Sequence, residues 1–276
     1  MECRRVNRKL ERLRSEGKRD YRLNAFAQYL SGVLYEKEKN WNSAYVDYRK
    51  AQEIDSTIPF LRKDLLRGAL IVDSDSDLTK WKRTYKLNED DIISAKKSLK
   101  EKGALVFILQ NGVAPEKVVS SIWPELPEYR KRYNKYKAAN IYVNGEKLAS
   151  TKILYDIEEA AKKNLEQKFA TYILKRAAGF AAREIIGNKV AETTNSEGLG
   201  ALTKIFMFML SRPDLRSWLT LPQNLQMARI ELAPGKHKVS FRLLTSDNIE
   251  EVEKIMGEIE IKKPGDIVLL NHRSFN

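Results

Sequence analysis

The densest run of specific side chains is Asp214-Leu-Arg216-Ser217-Trp218-Leu-Thr220-Leu-Pro222. Ser217 would serve as a nucleophile only with a base to take its proton and donors to hold an oxyanion. The chain has two histidines. His237 falls in an expected strand and His272 lies near the C-terminus, so neither is placed as that base. Arg216 is expected to pair with Asp214 or with a buried carboxylate, and Trp218 to anchor the segment onto a sheet. No phosphate loop, GxGxxG, HExxH or GxSxG pattern occurs. The single cysteine, Cys3, excludes an intrachain disulfide and a Cys-rich zinc site. Asp73-Ser-Asp75-Ser-Asp77 resembles the start of a calcium loop, yet its sixth and twelfth positions hold Leu78 and Thr84 rather than glycine and glutamate. It reads as a polar loop between helices. The expectation is a protein without catalytic residues, metal or cofactor.

Charge points to partners instead. Lys and Arg total 50 and Asp and Glu 37 in 276 residues, a net charge of +13. The excess is spread along the chain with two denser blocks, Arg4–Arg19 and Arg130–Lys137, the second carrying tyrosines at 129, 133 and 136. Basic and aromatic side chains together can hold a phosphate backbone and stack bases, which makes a cytoplasmic nucleic-acid-binding protein the second functional reading. No run reaches the roughly 18 apolar residues of a membrane span. The nearest, Leu199–Leu210, has Lys204 inside and reads as a buried helix. The basic start is followed by more charge rather than an apolar signal region. Cys3, just ahead of a helix, stands where a mature bacterial lipoprotein carries its acylated cysteine.

These side chains need elements to hold them. Asn24–Asp55 fits a tetratricopeptide repeat, with Gly32, Tyr35, Trp41, Ala44, Tyr48 and Ala51 in register and Gln28 departing from the pattern. Two antiparallel helices over 21–37 and 41–54 are expected, then a degenerate pair over Pro59–Val72 and Leu78–Leu87. Asn88 reads as the N-cap of a helix over Glu89–Lys102. Tyr35, Trp41, Tyr45 and Tyr48 are the expected partner-binding surface of this helical domain, residues 1–102. From Gly103 the period changes to that of strands. Ala104–Leu109 reads as a buried strand, with Glu116–Ile122 returning beside it. Asn144-Gly145 reads as a hairpin turn. Two similar strand–Pro-Gly–strand pieces follow, around Pro234-Gly235 and Pro264-Gly265. The expected class is α+β: a TPR-like helical domain, then an antiparallel β-sandwich of six or seven strands over 103–276. A helical hairpin is inserted at about 153–212, its long helix running from Leu154 to Lys189 and its short one over Gly198–Ser211.

The run RLNAFAQYLSGVLYE, then FLRKDLLR, ALVFILQNGVAPEK and DLRSWLTLPQNLQMARIELAPGKH resembles a family of uncharacterised bacterial lipoproteins with a tetratricopeptide-like N-terminus, in order from Tyr21 to His237. The resemblance implies a secreted protein, lipid-anchored on the periplasmic face of the outer membrane, and carries over no catalytic residue. It implies envelope-protein partners, among them small lipoproteins like curli-secretion-channel proteins. It marks Asp214, Arg216, Ser217, Trp218 and Pro222 as motif residues. The expected function is a non-enzymatic scaffold in an envelope complex, able to assemble with copies of itself. A glycan-binding sandwich is a third reading.

Overall fold

The computed structural model describes residues 24–121, 126–194, 196, 199, 201–204 and 213–275. Cys3 and the basic block Arg4–Arg19 lie outside the described residues, as does most of Leu199–Leu210.

Five helices come first: α1 (Ala25–Lys37), α2 (Trp41–Ile54), α3 (Leu61–Ile71), α4 (Asp75–Tyr85) and α5 (Glu89–Glu101). Asparagine caps start three of them. Asn24 accepts from the Ala27 amide, Asn40 from Ser43, and Asn88 forms a reciprocal capping box with Asp91. The corners between α1 and α2, α3 and α4, and α4 and α5 turn on left-handed Lys39, Asp73 and Lys86. Gly32 and Gly68 let the helices approach closely. A Cβ on Gly32 would stand 2.7 Å from the Tyr48 ring, and one on Gly68 2.4 Å from the Tyr45 ring.

The strands are β1 (Gly103–Asn111), β2 (Glu116–Val119), β3 (Pro127–Arg130), β4 (Tyr136–Val143), β5 (Glu146–Ser150) and β6 (Lys152–Asp156). After helix α6 (Ile157–Thr194) come β7 (Asn224–Leu232), β8 (Gly235–Thr245), β9 (Lys254–Ile261) and β10 (Ile267–Arg273). The class is α+β, with N-terminal helices followed by mainly antiparallel sheets. One four-stranded sheet has the order β10-β1-β7-β6 and another β5-β4-β8-β9, while β2 and β3 pair separately. β1 and β10 run parallel. The β4–β5 hairpin turns on Asn144 and Gly145, both at positive φ, as the sequence predicts.

Two expectations are corrected. The strand at Glu116 does not return beside β1, because both edges of β1 are taken, by β10 and β7; it pairs with β3. The two Pro-Gly turns each lie between two strands, as the sequence predicts. Each carries the chain from one four-stranded sheet to the other, β7 to β8 and β9 to β10. Leu154 belongs to β6 rather than to the long helix, which starts at Ile157 after Asp156 caps the Glu159 amide.

The chain divides into two compact units. Unit 1 comprises residues 1–111, 135–155 and 224–274, so the boundary expected after Lys102 falls inside it. Its helices and first sheet share a core. Ala104 and Val106 of β1 and Met227 of β7 pack with Tyr29, Tyr48 and Leu65. The alternate residues Leu105, Phe107, Leu109, Ala228 and Ile230 pack instead with Ile141, Phe241 and Leu243 of the second sheet. Burial on both faces is why β1 reads as an unbroken apolar run.

Unit 2 comprises residues 112–134, 156–223 and 275–276. It holds the β2–β3 pair, α6 and the loop ending at Gln223. The 38 residues of α6 make a rod about 57 Å long at 1.5 Å per residue. Its start and the loop's end meet, since the Ile157 amide donates to the Gln223 carbonyl at 2.9 Å.

Candidate functional site

The expected aromatic surface of the helices is largely interior. Tyr48 is fully buried and Tyr45 nearly so. Both phenols therefore need internal partners. The Tyr45 hydroxyl donates to Asp77 at 2.8 Å and accepts from the Trp81 indole at 2.8 Å. Asp77, one of the acids in the calcium-like run, also takes Arg49 at 3.1 Å. Tyr45 and Tyr48 are thus corrected from binding residues to core residues. Tyr35 is exposed and Trp41 half-buried, so those two remain accessible.

Tyr48 belongs to a buried ion cluster that the sequence reading missed. Glu36 of α1, Asp64 and Arg67 of α3 and Arg229 of β7 are each more than nine-tenths buried. Arg229 donates to Glu36 at 2.7 Å and lies 3.3 Å from Asp64. Arg67 donates to Asp64 at 2.7 Å and to Glu36 at 3.1 Å. The Tyr48 hydroxyl donates to Glu36 and that of Tyr29 to Asp64, both at 2.5 Å. Two cations and two anions cancel, which makes their burial tolerable. Burial alone would raise the Glu36 carboxyl, but Arg229 and then Arg67 pull it down to about 2. Asp64 moves the other way, raised because lost hydration outweighs the same two arginines. Arg67 Nε is buried without a hydrogen-bond partner. A faint sequence signal existed: Tyr29, Val33 and Glu36 share one face of α1, and Arg229 follows Leu225 and Met227 on one face of β7. The arrangement ties three helices to a strand.

The motif at Asp214–Pro222 lies in unit 2 and is mostly exposed. Asp214 accepts both the Arg216 amide, at 3.0 Å, and its guanidinium, at 2.9 Å from Nε and Nη2. This pairing, with the Arg216 side chain as its main cause, holds the Asp214 carboxyl well below the usual range. Trp218 is 78% exposed. The expectation that it anchors the loop onto a sheet is therefore corrected; the anchor is Pro222, which is buried. The Leu221 amide bonds the Trp218 carbonyl at 3.3 Å, closing a turn, and Leu221 accepts from Ala114 at 2.9 Å. Ser217 is half-buried. His237 and His272 belong to unit 1, where they bond the Ala233 carbonyl and stack on Phe241 respectively.

The basic block Arg130–Lys137 straddles the two units. Arg130 pairs with Glu116 at 2.9 Å, Lys135 with Glu251, and Lys137 bonds Asn248. Lys131 and Arg132 carry no ion pair with a described carboxylate; Arg132 reaches the Leu219 carbonyl at 3.5 Å. A continuous row of cations for nucleic acid is thus broken up by its own chain.

The far end of α6 is apolar and open. Ile185 is 59% exposed and Leu202 61%, with Ile186 and Leu199 also exposed. The segment around Lys204 folds back against α6: Lys204 pairs with Glu184 at 2.7 Å, and its side chain crosses over Gly187.

Among the described residues, no helix is long and apolar enough to cross a membrane, and no group of three or more His, Cys, Asp or Glu side chains could hold a metal. Comparison of the chain with protein-family models, curated proteins and solved structures finds no match.

Proposed function

We propose that the protein is a non-enzymatic scaffold of the cell envelope, periplasmic and held at the outer membrane by lipid on Cys3, which assembles with protein partners through the end of its helical arm. The observation that carries the assembly reading is the apolar group Ile185, Ile186, Leu199 and Leu202, left in water where α6 meets the returning segment. Full burial of each such side chain is worth about 1.5–3 kcal/mol, so a partner that covers them gains affinity. The partner is an envelope protein, such as a curli-channel-like lipoprotein, or a second copy.

The architecture fits that role. α1–α2 and α3–α4 make two TPR-like pairs, supported by the small-against-large contacts of Gly32 with Tyr48 and Gly68 with Tyr45. The two four-stranded sheets make a β-sandwich, supported by the core their alternate residues share. Sheet and helices form the body from which the arm is inserted, between β6 and β7.

The test compares the wild type with an Ile185→Ser, Leu202→Ser double variant in crosslinked envelope extracts and in sedimentation velocity. Fewer captured partners or a smaller assembly is expected. Identical partners together with an identical mass would sink the arm as the contact. Anchoring is tested separately by fractionation and mass spectrometry of the N-terminal peptide: acylated Cys3 in the membrane fraction is expected, and unmodified Cys3 in the soluble fraction would remove the anchor.

A further inference from the structure

The Trp218 turn of unit 2 has a composition that solvent exposure alone does not favour. Trp218 and Leu219 stand at its tip, 78% and 49% exposed, and Leu215 two residues upstream of Ser217 is 39% exposed. The turn is held rather than loose. Its closing bond joins Leu221 to Trp218, its base is fixed to Ala114, and Arg132 donates to its Leu219 carbonyl. Tyr133, next to Arg132 in sequence, is 77% exposed. Asn134 in turn bonds the Val113 amide at 2.8 Å, so the segment carrying Arg132 and Tyr133 is fastened to the same base.

Arg132 touches this apolar tip, and unit 2 holds other cations. Lys117 acts on Asp214 and Lys131 on Glu158 at a distance, but neither they nor Arg132 form an ion pair with a described carboxylate. Asp214 and Glu116 are each already neutralised, by Arg216 and by Arg130. The tip therefore offers an indole and a leucine, Leu215 and Tyr133 are exposed in the segments that hold it, and Lys117, Lys131 and Arg132 of the same unit are left to meet an external anion.

We propose that this turn is a docking surface for an anionic phospholipid bilayer, with Trp218 and Leu219 entering the headgroup region and Lys117, Lys131 and Arg132 facing lipid phosphates. Indole and phenol rings favour the membrane interface, where one side is apolar and the other wet. Basic residues near an anionic leaflet add attraction that fades within a Debye length. Single-stranded nucleic acid would use the rings and the cations but would gain nothing from Leu215 and Leu219. The aliphatic component favours lipid. The inference is independent of the arm: it concerns other residues of unit 2, and its variants do not include Ile185 or Leu202.

The experiment uses the full chain with vesicles of phosphatidylcholine alone or with about 30% phosphatidylglycerol. Sedimentation with the anionic vesicles, and not with the neutral ones, is expected. A Trp218→Ser, Leu219→Ser variant and a Lys117→Glu, Lys131→Glu variant are each expected to bind about tenfold more weakly. The basic block Arg4–Arg19 contributes equally to every variant, so the comparison reads the turn. Brominated lipids give a second measurement that does not depend on a disruptive change. They are expected to quench part of the wild-type tryptophan emission, and Trp218→Phe is expected to remove that part. Undiminished binding by both double variants, or quenching unaltered by Trp218→Phe, overturns the proposal. Complete displacement from vesicles by single-stranded RNA, with binding to RNA unchanged by Leu219→Ser, would assign the surface to nucleic acid instead.

Discussion

Unit 1 and unit 2 use the same side-chain types in opposite ways. In unit 1 the aromatics Tyr29, Tyr45, Tyr48 and Trp81 are buried and their polar atoms are satisfied by Asp64, Asp77, Glu36 and one another. In unit 2 Trp218 and Tyr133 are largely exposed. Arginine follows the same division. Arg229 and Arg67 are buried and shared between two carboxylates, whereas Arg216 is 92% exposed and closes on its own neighbour. An aromatic–arginine cluster is a fastening where its partners come from distant parts of the chain. Where its partners are adjacent in sequence, its free surface is left for something else.

The sharpest way to break this contrast is to remove Arg229. Arg229→Leu leaves Glu36 and Asp64 with one arginine between them, and a loss of about 3–5 kcal/mol is expected in denaturant unfolding. A loss below about 1 kcal/mol would mean that the cluster is not a fastening. Next in size is Gly68→Ala, whose Cβ would meet the Tyr45 ring at 2.4 Å; overpacking of about 1–3 kcal/mol is expected. The two tryptophans then compare the units directly. Trp81→Phe deprives the Tyr45 hydroxyl of its donor and is expected to cost more than about 1 kcal/mol, while Trp218→Phe stays within about 0.5 kcal/mol. Equal losses would erase the distinction drawn here between buried and presented aromatics.

The smallest effect concerns pH. Burial, with Lys254 adding to it, holds the His272 ring below its ordinary value of 6.5. The folded state thus binds this proton less readily than the unfolded one. The contribution of the neutral ring is complete above 6.5 and is lost as pH falls through that value toward the folded one. Melting temperature is expected to decline modestly as pH falls from about 7 to about 5.5, and to decline less in His272→Phe; parallel profiles for the two would remove the assignment.

Local pattern was enough for much of the fold. The cap at Asn88 and the Asn144-Gly145 turn are decided within a few residues, and they appear as the sequence predicts. What local pattern cannot carry is the identity of a distant partner. Tyr48 reads the same whether it faces water or a guanidinium 181 residues away. For the same reason the Pro234-Gly235 turn does not reveal that the partners of β8 are β4 and β9. Trp218 failed in the other direction. Its size suggests an anchor, but the segment is fixed through backbone bonds at Leu221 and the buried Pro222, leaving the ring with no seat to fill.

The parallel pairing of β1 with β10 has a kinetic side. Ala104 is in register with Ile267 and Gln110 with Arg273, so the first strand made must wait for nearly the last residues of the chain before one of its edges is covered. Such pairings between distant segments are slow to form. Until they do, an apolar strand with an open edge is a template for association with other chains. During synthesis the protein is therefore committed to a long interval as a helical layer with an unfinished sheet. A chain stopped short of Ile267 would remain in that state: helical by spectrum, yet prone to aggregate through β1.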